Sequence, residues 1–304
     1  MAIWEDPFQK LSEDLKTTLR PQREWVAGRG LFLLLGHFLS GAGAGTWLFS
    51  IYYGLAAGLM LSLGVVALGG VAHLLFLGRF GRAWRIVRQP HKSWISRGLL
   101  SMALFLVCGT AYLLLERIGA VSGALGGVLL LLSLVGMAGI LLYKGFVYAV
   151  SRAIPFWNTP LLPALYIAYG VRGGAAILLV AAALGVGGVE LSSLEFIKLW
   201  VVVSSAVLVL IYLAGMSSSG VASRRSVSQL LGLRGSASLA FYLGVMLLGL
   251  VVPIGMGLFS HYGTVLPWVL GLVGVSSLIG DFYVKYCVAR AGIYLPLSGE
   301  FPAR

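Results

Sequence analysis

Only two cysteines and four histidines occur in the 304 residues. Cys108 and Cys287 stand singly inside apolar runs, so no cluster is available for an iron–sulfur centre or a structural zinc site. Each reads instead as a small packing residue. No phosphate-binding P-loop and no Gly-x-Gly-x-x-Gly after a strand is found, which leaves nothing to suggest nucleotide chemistry. Charge is scarce as well: 11% of residues are charged, acidic residues number 10 against 22 basic ones, and 59% are hydrophobic. That composition excludes a water-soluble globule of this length and places the chain among polytopic membrane proteins.

What is present is a series of eight long apolar runs, at about 30–54, 57–77, 98–115, 123–148, 161–187, 196–216, 237–259 and 265–289. At about 1.5 Å per helical residue each can cross a hydrocarbon core of about 30 Å. Sorting the cations by the segments between runs gives a lopsided result. One side holds 19 of the 22: Lys10, Lys16, Arg20, Arg23, Arg29; Arg79, Arg82, Arg85, Arg88, Lys92, Arg97; Lys144, Arg152; Arg224, Arg225, Arg234; Lys285, Arg290 and Arg304. The other side holds Arg117 and Lys198, and Arg172 sits inside a run. By the positive-inside rule both termini are expected in the cytoplasm, with the chain spanning the cell membrane. The net charge of +12 is thereby a topology signal, and nucleic acid is not an expected partner.

The expected organisation is an N-terminal cytoplasmic segment 1–29, an eight-helix domain 30–289 that reads as two four-helix halves, and a cytoplasmic tail 290–304. Acidic residues among the first bases argue against a cleaved signal peptide. Trp4, Phe8, Leu11, Leu15 and Leu19 are spaced to lie along a membrane surface, though a solvated tail or a partner-docking helix fits equally. Glycines gather inside the runs. Gly36, Gly41, Gly43 and Gly45 suit close helix packing, or space for a flat ligand beside His37. Pro253, with Gly255 and Gly257 after it, predicts a kink in the seventh span.

Ionisable side chains within a bilayer need a partner or a task. His37 lies about 12 Å in from the basic side by helix rise, Arg172 about as deep or slightly deeper, and Asp281 stands one turn from Lys285 on one face. His73 and Tyr143 lie shallower. Five spans thus bring polar groups to one half of the bundle. Asp281 could neutralise Arg172 or Lys285, and His73 could simply reach the headgroups. A quinone would suit such a place, because it needs an apolar slot, hydrogen-bond donors for its carbonyls and groups that exchange protons. A secondary transporter using Arg172 and Asp281 is a second option. A cytochrome b-type haem anchor ligated by His37 and His73 is a third, although four histidines are few for two haems.

Three stretches carry a more specific signal: GHFLSGAGAG from Gly36 to Gly45 with Trp47 after it, HLLFLGRFGRAWRIVRQPHKSWISRG from His73 to Gly98, and YKGFVYAVSRAIPFWNTPLLP from Tyr143 to Pro163. Over residues 24–175 the chain resembles the NrfD/PsrC and DmsC-type membrane anchors of iron–sulfur molybdoenzymes. The resemblance implies an all-α, eight-span subunit that exchanges electrons between membrane quinone (menaquinone or ubiquinone) and a ferredoxin-like, multi-cluster iron–sulfur subunit, which in turn serves a molybdopterin catalytic subunit. It implies no metal or haem in this chain. His37 and Tyr143 match the family's quinone contacts and His73 its second-helix histidine. Arg172, Ser40 and Gly41 join them as candidate quinone-site residues, and Asp281 with Lys285 forms a candidate proton route. The loop bearing Arg79, Arg82, Arg85 and Arg88, with Trp84 and Trp94, is the expected docking face or a topology determinant. A quinone pocket in the basic half places the partners on the cytoplasmic side.

Overall fold

A computed structural model describes residues 21–186, 191–262 and 266–294. The Trp4–Leu19 stripe and the cations Lys10, Lys16, Arg20 and Arg304 lie outside these residues. Among the described residues all regular structure is helical except one antiparallel bridge, Pro21 to Ile293. The chain forms α1 (Gly30–Tyr52), α2 (Ala56–Leu77), a 3₁₀ helix (Phe80–Arg88), α3 (Trp94–Arg117), α4 (Ala124–Ala149), α5 (Leu161–Ala183), α6 (Leu191–Ser218) and α7 (Val221–Leu231). It continues through a π-helical segment (Ala240–Val251) into α8 (Val252–Tyr262) and ends in α9 (Pro267–Ala291). Eight stretches are long and apolar enough to span a membrane, the seventh combining the π segment with α8. The Pro21–Ile293 bridge brings the two described ends together, as an even number of spans requires.

Helices this apolar must bury their surface in protein or lipid. The most hydropathic stretch of α1 is 67% buried and that of α5 61%, against 28% for α2 and for α3, so α1 and α5 form the centre. Their backbones nearly touch: a Cβ on Gly174 would stand 2.0 Å from the Gly45 carbonyl carbon, and one on Gly45 would stand 2.3 Å from the Gly170 oxygen. Small residues permit this approach, and van der Waals packing holds it. Among the described residues the core has three clusters, of which the third joins Phe49 of α1 to Leu178 of α5 and Leu270 of α9. One cluster joins α1–α4 around Trp47, Phe105 and Ile140. Another joins α5, α6, α7, the π segment and α9 around Tyr166, Tyr212 and Phe241 and takes in Leu34 of α1 and Tyr148 of α4.

Three local features differ from the sequence expectation. The third span starts four residues early, at Trp94, because Ser93 Oγ accepts the Ser96 amide at 3.3 Å and caps it. The segment after the sixth span forms α7, which buries Ala222, Val227 and Leu230 while exposing Arg224 and Arg225. In the seventh span the break is a change of winding, from π to α between Val251 and Val252, one residue before Pro253. Proline has no N–H for the carbonyl four residues back, Gly249. That carbonyl accepts Arg172 Nη2 instead, at 2.8 Å.

Candidate functional site

A cavity of about 840 Å³ opens at the basic end, between α1, α2, α3, α4 and the 3₁₀ helix. Its walls are largely aliphatic, with Leu33, Leu77, Leu99, Met102 and Val147 among them, and its polar side chains include His37, His73 and Tyr143. Three of the residues singled out from the sequence therefore share one chamber, from three different spans. Trp25 and Trp84 also border it.

His73 is held at both ring nitrogens. Nδ1 lies 2.7 Å from the Gly69 carbonyl, to which it can only donate, so in the neutral ring Nε2 is left to accept. The Tyr143 hydroxyl, 3.0 Å from Nε2, donates to it. Two glycines make room for this pair. A Cβ on Gly36 would fall 2.3 Å from His73 Nδ1, and one on Gly98 would fall 2.3 Å from Tyr143 Cδ2.

His37 is buried on the inner wall, and its Nδ1 meets no hydrogen-bond partner. Its ring centroid lies 5.3 Å from that of His73, 6.0 Å from Tyr143, 5.7 Å from Tyr148 and 6.5 Å from Tyr166. It therefore sits at the junction of the cavity with a row of buried tyrosines. Beyond Tyr166, Lys285 Nζ lies 5.7 Å from the Tyr166 ring and 5.8 Å from the Tyr169 ring. The hydroxyls of Tyr148, Tyr166 and Tyr169 are buried without hydrogen-bond partners.

Arg172, Asp281 and Lys285 form a separate cluster at the far end of this row and do not line the cavity. Arg172 Nε lies 2.7 Å from Asp281 Oδ1 with both side chains fully buried. Its Nη2 also reaches the carbonyls of Gly249 and Ser277, and its guanidinium covers the Tyr169 ring at 4.8 Å. Lys285 Nζ bonds the Asp281 carbonyl at 3.4 Å. Ser40 is equally buried, its hydroxyl given to the Gly36 carbonyl at 2.5 Å. Gly41 faces Lys144: a Cβ there would stand 3.0 Å from Nζ. The glycine stripe of α1 thus seats His73 and Lys144 and packs α2 and α5, and none of its four glycines borders the cavity.

The charge sorting changes in detail. Lys144, Lys198 and Lys285 are nearly fully buried within helices and are not loop cations. Removing them from both sides leaves the asymmetry intact. In the 78–97 loop, Arg79, Arg85 and Arg88 are exposed, as is Trp84, which Arg88 covers at 4.0 Å. Trp94 stacks on Phe146 at 4.3 Å beneath Arg97, so it anchors the loop inward. Ser96 Oγ bonds the Ile86 carbonyl, and Arg97 Nε holds the Pro90 carbonyl at 2.7 Å. This bracing gives the 3₁₀ helix a fixed place as one wall of the cavity. Arg82 belongs to that helix.

Sequence reasoning passed over Lys144, Gly98, Trp25 and the tyrosine row. Tyr166, Tyr169 and Arg172 recur every three residues along α5, a spacing that puts polar groups on one helical face and was available as a signal. Gly98 and Trp25 carry no such mark, because their roles depend on contacts between segments distant in sequence.

The profile described as "Polysulphide reductase, NrfD" matches residues 30–296. Protein NrfD of Escherichia coli is 29% identical over 154 residues, covering 49% of this chain and 48% of that protein. The C subunit of polysulfide reductase from Wolinella succinogenes is 30% identical over 159 residues, covering 49% of each. A NrfD homolog of Haemophilus influenzae is 26% identical over 158 residues, with 49% and 48% covered. The chain therefore spans about half the length of the curated relatives it matches. With the profile covering most of the sequence and eight apolar spans in the structure, this chain is an integral membrane protein of the NrfD, polysulphide reductase, family.

Proposed function

We propose that this chain is the quinone-reactive membrane subunit of a respiratory oxidoreductase, with the quinone ring held in the cavity by His37 and Tyr143 and with His73 as a supporting contact behind Tyr143. The observation that carries this reading is the meeting of these three side chains at one wall of an aliphatic cavity, with His37 Nδ1 buried and unpartnered beside it. A volume of about 840 Å³ falls within the range of small-molecule sites. On the α2 and α3 side the lining residues Leu74 and Ile95 are exposed apolar side chains, suiting a lipid-soluble ligand. Bound quinone supplies two-electron redox chemistry with uptake or release of two protons. The chain's part is to orient the ring and manage hydrogen bonds: His37 offers an imidazole nitrogen, and Tyr143 reaches a ring carbonyl by turning its one hydroxyl hydrogen away from His73 Nε2.

The partners follow from the same reading. A ferredoxin-like iron–sulfur subunit and a molybdopterin subunit would dock on the basic end, over Arg79, Arg85 and Arg88, where the 3₁₀ helix separates the surface from the cavity. That end faces the cytoplasm of the cell membrane under the positive-inside rule. Arg172 acts at a distance from the ring, and Asp281 with Lys285 marks a proton route through the tyrosine row. The test is His37→Gln in the assembled complex. Quinol-coupled turnover is expected to fall about a hundredfold with the subunits still associated. Unchanged turnover would reject the assignment.

A further inference from the structure

Lys144 is a buried lysine that the quinone contacts just described leave unused. It follows Tyr143 in α4, but adjacent helical residues point about 100° apart, so it turns from the cavity toward α1 and α5. Its side chain is 1% exposed, its Nζ lies 5.6 Å from the Tyr143 ring centre, and the bare backbone of Gly41 makes room for it. Nζ meets no hydrogen-bond partner.

The charges buried around it do not balance. Among the described buried residues of this half three basic side chains, Lys144, Arg172 and Lys285, share one carboxylate, Asp281. Asp281 is committed to Arg172 at 2.7 Å, and Lys285 bonds its main chain. An ammonium withheld from water is costly, so such a lysine holds its proton only where negative charge lies nearby. The cavity on the other face of Tyr143 is a place where such a charge can arrive from outside the chain.

We infer that Lys144 is a positioning cation for the cavity, giving it a preference for an aromatic oxyanion over a neutral ring of the same shape. The inference rests on the cavity being a quinone site. Unit charges roughly 6–10 Å apart at an effective dielectric of about 20 correspond to at least about a tenfold difference in affinity.

The test uses the intact membrane complex and two probes, a tailed 2-hydroxy-1,4-naphthoquinone, ionised at neutral pH, and the matching 2-methyl compound, which is neutral. Lys144→Met is expected to weaken binding of the ionised probe about tenfold or more while shifting the neutral probe less than about twofold. Equal loss of both, or no change in either, overturns the inference. Where Lys144→Met does not assemble, Lys144→Gln, a neutral side chain of similar length, should produce the same loss of selectivity, and unaltered selectivity there would count equally against it. If neither probe binds the unaltered complex, the quinone reading itself falls.

Discussion

The Tyr143 hydroxyl lies 3.0 Å from His73 Nε2, while His73 Nδ1 is tied to the Gly69 carbonyl at 2.7 Å. The histidine therefore fixes the direction of the tyrosine's hydrogen bond and is fixed in turn by the backbone of α2. Tyr143→Phe is expected to lower quinol-coupled turnover by about a hundredfold without loss of assembly, measured per assembled complex. Wild-type turnover in that variant would show that the phenol takes no part.

The glycines that seat this pair give a test of packing. Gly98→Ala places a Cβ 2.3 Å from the Tyr143 ring, and Gly36→Ala places one 2.3 Å from His73. Each is expected to destabilise the protein by about 1–3 kcal/mol or to displace its ring. Gly64→Ala, where no atom lies within 4 Å, should be neutral or slightly stabilising. Thermal unfolding in detergent compares the three.

The eight spans, their order and the polar content of one membrane half are legible in the sequence because apolar length and charge asymmetry are local properties. His37, His73 and Tyr143 could be singled out by their placement in spans and by motif. Their separation from Arg172 and Asp281 could not, since His37 and Arg172 lie at similar depth and only the packing of α1 against α4, α5 and α9 divides the two groups. Lys144 was misplaced for a related reason: beside the end of an apolar run a lysine reads as a surface charge, and only the neighbouring Gly41 shows that it turns inward.

The ion pair between Arg172 and Asp281 should matter to stability. Asp281→Asn leaves a guanidinium buried without its counter-charge, a loss expected to be about 3–5 kcal/mol. Arg172→Leu combined with Asp281→Asn should recover part of it. If the pair also lies on a proton route, the double variant will regain thermal stability but not proton uptake coupled to quinone reduction. Recovery of both would leave the pair a purely structural role.

The orientation is tested with fusions at the C-terminus. Seventeen basic-side cations remain after Lys144 and Lys285 are set aside as buried, against Arg117 alone on the other side once Lys198 is likewise removed. A reporter active only in the cytoplasm should function there, whereas one active only outside the cell should not.

The most direct measurement is photolabelling of the membrane complex with a reactive quinone analogue, followed by mapping of the modified peptides. Label competed by excess quinone should fall on the cavity walls, in the segments Leu33 to His37, around His73, Trp84 to Met102 and Tyr143 to Val147. Competed label confined to other helices, or no competed label in this protein, would contradict a quinone site formed by His37, His73 and Tyr143.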